Sequence, residues 1–255
     1  EYSRNLMTVR IAQQIGLKKI LQLSRKLNIY KEIPELMSVS LGSAETTLFQ
    51  ITNAYATFVN GGKKIKPSLI NRIQDRRGKT IFNSDSRECI GCDRYSQDDT
   101  KIPSIKNNYE QVISEETAYQ ITSLLEGAVK RGTGKKLRDL AVPLAGKTGT
   151  TNELVDAWFA GFNPDMVTIT WMGFDQPQSL GKHESGSRAA LPIWIDYMRP
   201  IIGEYPTKMV ETPDGIIPLR INPKNGMLAN KDEDSIYEYF YDEFPPSDNA
   251  YFLLN

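Results

Sequence analysis

The stretch GKTGTTNELVDAWFAGF, Gly146 to Phe162, decides how the rest of the chain is read. Its Gly-Lys-Thr suits two unrelated chemistries. In a phosphate-binding loop the lysine closes around a nucleotide's phosphates, and the motif G-x-x-x-x-G-K-[ST] joins a strand to a helix whose N-terminus faces them. Here the frame is AVPLAGKT, Ala141 to Thr148. Ala141 replaces the first glycine, and Pro143 removes a backbone donor inside the loop. Gly149 interrupts at once, and β-branched and aromatic residues follow where the helix should start. A hydrophobic run ending in Asp175 imitates a magnesium-binding strand, but it follows too closely to leave room for a crossover helix.

Acyl transfer by a serine nucleophile makes different demands. The tetrahedral oxygen becomes negative, and a neighbouring strand must offer it a backbone N–H. The same strand needs hydroxyls and a cation for an anionic substrate end. Lys147-Thr148-Gly149-Thr150 can provide all of these from one edge strand, with Gly149 keeping the surface low so that a ligand can lie along it. Ser3-Arg4-Asn5, an S-x-N just before a helical pattern, precedes K-T-G in the order that serine acyl-enzymes use with an S-x-x-K. By itself Ser3-Arg4-Asn5 reads as a helix cap. A second S-x-N, Ser247-Asp248-Asn249, follows K-T-G in tail sequence and reads as chance.

Outward from these motifs, helical spacing recurs in Leu6, Val9, Ile11, Ala12 and Ile15 up to Gly16, then in Leu17, Ile20, Leu21 and Leu27. Leu48, Ile51, Tyr55, Phe58 and Val59 form the cleanest stripe, with Thr46 or Thr47 as cap and Gly61-Gly62 as stop. All three read as core-facing. Two short strands flank the Arg77-Gly78 turn, and residues 84–110 read as a polar surface excursion. A helix starts at Ser114 with Glu115 and Glu116 in its first turn and ends at Gly132. DAWFAGF and MVTITWMGFD alternate as strands around the turn Asn163-Pro164-Asp165. The last helix takes Pro192 in its first turn, with Pro200 marking its end. Beyond Gly203 come turns, one or two short strands, and an acidic, aromatic tail, YEYFYDEFPP. Helices, then strands, then a closing helix imply an α+β fold, an antiparallel sheet flanked by helices.

The 255 residues suffice for one large domain or two small ones. Thirty-one basic residues against 31 acidic ones give no reason to expect a nucleic acid. No apolar run is long enough to span a membrane. The chain lacks an initial methionine and passes at once into helix, which reads as a fragment or processed product. Cys89 and Cys92 lack the partners of a zinc site and the setting of a redox motif. A short disulfide in an oxidising compartment is the expectation, with two inert thiols as the alternative. Trp158, Trp171 and Trp194 read as packing, and His183 as a surface turn.

RGTGKKL, LAGKTGTTNELVDAWFAGFNPDMVTITWMGFD and SGSRAALPIWIDYM resemble the transpeptidase domain of class A (bifunctional) penicillin-binding proteins, in that family's order. SLGSAETTLFQITNAYATFVNGG resembles the segment between its S-x-N and the loop; residues 84–110 and the stretch after 203 match less well. The resemblance implies a penicillin-binding/β-lactamase-like fold, residues 1–202 forming part of a transpeptidase domain and 203–255 an extension. It implies an extracytoplasmic, periplasm-facing enzyme that cross-links peptidoglycan stem peptides through a serine ester, is stopped by β-lactams and needs no cofactor. Ser3 would relay a proton to the leaving amine, Asn5 would hold the donor's amide and orient the neighbouring lysine, and Lys147 would supply a positive field and a link in the proton path. Thr148 and Thr150 would hold the substrate carboxylate beside Gly149, and the Thr150 amide would form half of the oxyanion hole. A glycosyltransferase and a membrane anchor follow only from the family.

The family's S-x-x-K should precede the S-x-N, where only two residues stand. The string Ser179-Leu180-Gly181-Lys182 lies after K-T-G, in turn sequence, whereas the serine and lysine should share one helical face. The expectation is therefore a nucleophile outside this sequence, an isolated chain that forms no ester with penicillin, and a sheet left partly uncovered. The rivals are a non-catalytic module that binds cell-wall peptide or a protein partner, and a carboxypeptidase or β-lactamase that delivers the ester to water.

Overall fold

The computed structural model describes residues 1–92, 102–203 and 210–246. Helices α1 (Asn5–Ile15) and α2 (Leu17–Lys26) are separated by Gly16, whose φ of +91° only glycine adopts readily. Helix α3 (Leu48–Val59) is capped by Thr47, whose hydroxyl accepts from the Gln50 amide at 3.2 Å. Two small antiparallel hairpins follow, β1 (Arg72–Gln74) with β2 (Thr80–Asn83) and β3 (Glu88–Ile90) with β4 (Ser104–Lys106). Helix α4 (Glu115–Lys130) starts at the cap Ser114, whose hydroxyl accepts from the Thr117 amide at 3.2 Å.

The central sheet is antiparallel, in the order β5 (Ala145–Thr150), β6 (Ala157–Phe162), β7 (Val167–Met172). K-T-G therefore lies on an edge strand. A π-helical turn over Gly186–Ala190 leads into α5 (Leu191–Ile202), and β8 (Ile216–Ile221) pairs with β9 (Ile236–Tyr241). The core lies between the sheet and α5. Leu137, Phe159, Leu191 and Trp194 are wholly buried there, with the Phe159 and Trp194 rings edge to face at 5.4 Å. The Trp194 indole donates to the Thr168 carbonyl at 2.9 Å, so this apolar layer leaves no indole N–H unpaired.

Four expectations need correction. Residues 84–110, read as a polar excursion, contain the β3–β4 hairpin, whereas the disulfide expected between Cys89 and Cys92 is present where β3 ends. YEYFYDEFPP, read as a tail lying on the domain, begins within a strand, because residues 236–241 form β9. Its aromatic residues serve a ladder whose Tyr239 carbonyl accepts from the Gln120 side chain at 2.9 Å, tying it to α4. Pro200 does not stop α5, which runs on to Ile202; the proline sits close enough to the end that few backbone bonds are lost. Finally, the α1 stripe is not core. Only Ala12 is buried, while Leu6, Ile11 and Ile15 are 65%, 49% and 47% exposed, because no described element covers that face. Ser247-Asp248-Asn249 lies outside the described residues.

Candidate active site

Strand alternation sorts the K-T-G-T residues. Cross-strand pairing puts Lys147 and Gly149 on one face of the sheet with Ala160 and Trp158. Thr148 and Thr150 share the other face with Phe159 and Ala157, the face that α5 covers. On the first face the Lys147 ammonium donates to the Ser3 hydroxyl and, at 2.8 Å, to the Thr148 carbonyl. These partners are 144 positions apart in the chain, so only the fold brings them together. Burial pushes the Lys147 ammonium below the ordinary lysine range, since desolvation disfavours its charge.

Ser3 reaches Lys147 from the turn that enters α1. It does not cap that helix; the cap residue is Arg4, and no side chain caps the first turn. Ser3 instead takes a φ of +52°, in the left-handed region that costs a non-glycine residue free energy. Asn5 opens α1 two residues on, exposed, and its side chain makes no hydrogen bond among the described residues.

The two threonine hydroxyls are engaged within the chain. Thr148 donates to the Thr133 hydroxyl at 2.8 Å, and Thr150 Oγ1 accepts from the Gly186 amide at 3.0 Å. Gly186 lies directly against the sheet, where an added Cβ would meet the Trp158 carbonyl at 2.5 Å and collide with that of Gly149. The far end of β5 is thus backed by the turn before α5. The loop that follows is tied down by Asp156, which accepts from the Trp171 indole at 2.8 Å, while its own amide donates to Thr151 Oγ1 at 2.7 Å. Trp158 packs beside Trp171, ring centroids 6.1 Å apart, on the same face of the sheet as Lys147.

Thr133, Gly186, Glu1 and Arg131 receive no site role from the sequence, where Arg131 reads only as a basic residue in the last turn of its helix. Thr133 sits in the turn R-G-T-G, where its hydroxyl gives no signal without the fold. Gly127 and Gly132, around Arg131 at the end of α4, did carry a signal, since glycines there mark a close approach. Ser179 to Lys182 is not helical; Ser179 Oγ accepts from the Gly181 amide at 3.3 Å within a turn. His183 is an exposed turn residue with φ +74°. Among the described residues no cluster of His, Cys, Asp or Glu could hold a metal, and no helix is long and apolar enough to cross a membrane.

An ammonium and a serine hydroxyl are thus in contact at a sheet edge, on the strand that carries Thr148 and Thr150. Residues 1–198 match the penicillin binding protein transpeptidase domain, and the chain belongs to that family. It is 44% identical over 230 residues to penicillin-binding protein 1A of Rickettsia prowazekii, covering 89% of this chain and 29% of that protein. It is 35% identical over 280 residues to penicillin-binding protein 1A of Pseudomonas aeruginosa, covering 97% and 34% respectively. The crystal structure of penicillin-binding protein 1A from Haemophilus influenzae superposes with a TM-score of 0.81 at 30% identity, over 96% of this chain and 39% of that one. The mixed α+β fold and the resemblance to class A transpeptidases both stand. The chain spans less than a third of the length of the first of these relatives.

Proposed function

We propose that this chain carries the S-x-N and K-T-G part of a transpeptidase that cross-links peptidoglycan, the attacking serine lying in polypeptide outside these 255 residues. That serine, its hydroxyl proton taken by the basic lysine of the same S-x-x-K and passed on to make good the one Lys147 gives, adds to the carbonyl carbon of an acyl-D-Ala-D-Ala donor. The amide C–N bond breaks, D-alanine leaves as the amine, and a serine ester remains. An amine of a second stem peptide then attacks the ester, forms a new amide and returns the serine hydroxyl. In a β-lactam the broken amide belongs to a ring, so the leaving nitrogen stays attached and the ester persists.

The observation that carries this reading is the Lys147–Ser3 contact. Ser3 gives its proton to the departing nitrogen and draws one from the Lys147 ammonium, a transfer eased by the lysine's lowered basicity. Asn5, exposed beside Ser3, holds the donor's amide. The Thr150 amide, at the end of an edge strand, supplies half of the oxyanion hole. Thr150, whose hydroxyl only accepts from Gly186 and keeps its proton, holds the substrate carboxylate at the strand's edge, and Thr148 joins it once its own proton turns away from Thr133. Because Thr148 donates to Thr133, the Thr133 proton is free for the same carboxylate. The whole protein works on the extracytoplasmic side of the bacterial membrane, held by an anchor and joined to a glycosyltransferase, as its class A relatives suggest.

Fluorescent penicillin tests the reading. Residues 1–255 alone should form no ester, and the longer polypeptide should be labelled at a serine outside them. In that polypeptide Ser3→Ala should slow acylation by about 100-fold, the scale of one lost proton-transfer group. Labelling at Ser179, or parental acylation by the Ser3→Ala variant, would overturn it. Binding of stem peptide without any ester in the longer polypeptide would mark a non-catalytic module instead, and release of the ester to water in preference to an amine would mark a carboxypeptidase.

A further inference from the structure

Ser3 holds an unfavourable backbone conformation at the surface, so something must fix the segment that carries it. Two residues earlier, the Glu1 carboxylate is forked by Arg131, with Nε to Oε2 at 3.1 Å and Nη2 to the other oxygen. Arg131 stands at the end of α4, and its Nη2 also donates to Glu238 Oε1 on β9 at 2.7 Å. All three side chains are largely buried, with Glu1, Arg131 and Glu238 at 15%, 29% and 12% exposure. The end of α4 is shaped to receive this arrangement. A Cβ at Gly127 would collide with the Glu1 carboxylate and lie 2.7 Å from Arg131 Nη2, and one at Gly132 would collide with the Glu1 carbonyl.

We infer that Arg131, held from behind by Glu238, is a positioning residue for acyl transfer: it fixes Glu1, and through Glu1 the turn that presents the Ser3 hydroxyl to Lys147. The β8–β9 hairpin thereby contributes to the site although none of its residues touches Lys147 among the described hydrogen bonds. The inference deepens the proposed function and rests on the role given there to Ser3. Arg131 suits this task because its planar fork sets the orientation of one carboxylate while offering a further donor to another.

The test uses the longer polypeptide with its complete transpeptidase unit, stopped-flow acylation by fluorescent penicillin, and separate measurement of the pre-covalent Kd and the acylation rate constant. Arg131→Gln should lower the acylation rate constant by roughly tenfold, because displacing a reacting group by a fraction of an ångström acts on the chemical step, and should leave Kd unchanged. Arg131→Lys should recover part of the rate. Glu238→Gln, which keeps shape and one acceptor, should give a smaller loss in the same direction. The deciding measurement is the double variant: Ser3→Ala with Arg131→Gln should acylate no more slowly than Ser3→Ala alone, because Arg131 acts through Ser3. Lys130→Gln, removing the exposed neighbour that pairs with Glu126, should leave the rate untouched. Multiplying losses in the double variant, or a parental rate in Arg131→Gln, would overturn the inference and leave the role of Ser3 intact. A parental rate in Ser3→Ala would remove both. If Arg131→Gln fails to fold, Glu238→Gln carries the same cycle.

Discussion

At the scale of the residue, Lys147 is the group whose state matters most. In the proposed reaction its ammonium must stay charged to act as a field and a proton source, yet burial lowers its pKa below the ordinary value of 10.5. Acylation should therefore fall as alkaline pH passes through that lowered pKa, earlier than a solvent-exposed lysine would allow. Stability should move the other way. Between the folded and unfolded pKa values the unfolded chain binds more protons, so stability rises with pH across that window. The penalty for burying the charge is fully present below the folded pKa and is relieved above it. Lys147→Arg would hold its charge throughout, and its pH–rate profile should lose the alkaline limb even if its overall rate is lower. Lys147→Ala should lower acylation by about 100-fold or more, for the loss of both field and proton path. An unchanged alkaline limb in Lys147→Arg would assign that limb to another group. The pairing of Lys147 with Ser3 was legible because each sits in a motif of fixed order; the orientation of the threonine hydroxyls was not, because strand alternation sends Thr148 and Thr150 to the face opposite Lys147.

At the scale of the element, β5 is held by things that its own sequence does not mention. Gly186 lies against the backbone of Gly149 and Trp158 and donates to Thr150. Gly186→Ala would place a methyl group against two carbonyl oxygens, and neither can swing aside as a side chain could. The turn before α5 must then retreat from the sheet, taking the Thr150 hydroxyl's partner with it. A loss of about 1–3 kcal/mol is expected, read as a fall in melting temperature, together with slower acylation by the longer polypeptide. Full acylation with a parental melting temperature would show that the turn has room to move. Periodicity in the sequence announced α3, α4, β6 and β7, where apolar spacing and caps agree. It missed β9, whose aromatic and acidic residues obscure a two-residue period, and the β3–β4 hairpin, whose strands are only three residues each and mostly exposed. The equally exposed β1–β2 hairpin was readable only because the Arg77-Gly78 turn marks it.

At the scale of the whole molecule, the sequence pattern of α1 was clear and its meaning was wrong within this chain. A helical stripe says that a face will be covered, not by what. Leu6, Met7, Ile11 and Ile15 are each more than 40% exposed, beside the very turn that carries Ser3. If the remainder of the transpeptidase unit covers this face, as the Haemophilus influenzae likeness at 39% of that chain allows, the cost of its absence can be scaled. Fully burying one such side chain is worth about 1.5–3 kcal/mol, so completing the burial of four half-exposed ones is worth roughly 4 kcal/mol. For a domain of this size each kcal/mol moves the midpoint by about 2–4 °C, which gives an expected difference on the order of 10 °C. Residues 1–255 alone should melt that much lower than the same residues within the longer polypeptide, and should bind the dye ANS where the longer chain does not. Leu6→Gln with Ile11→Gln should suppress the dye signal in the short chain while destabilising the long one. Equal melting temperatures, with the double variant harmless in both, would mean that this face meets water in the complete protein and that Ser3 is held in place from the α4 side alone.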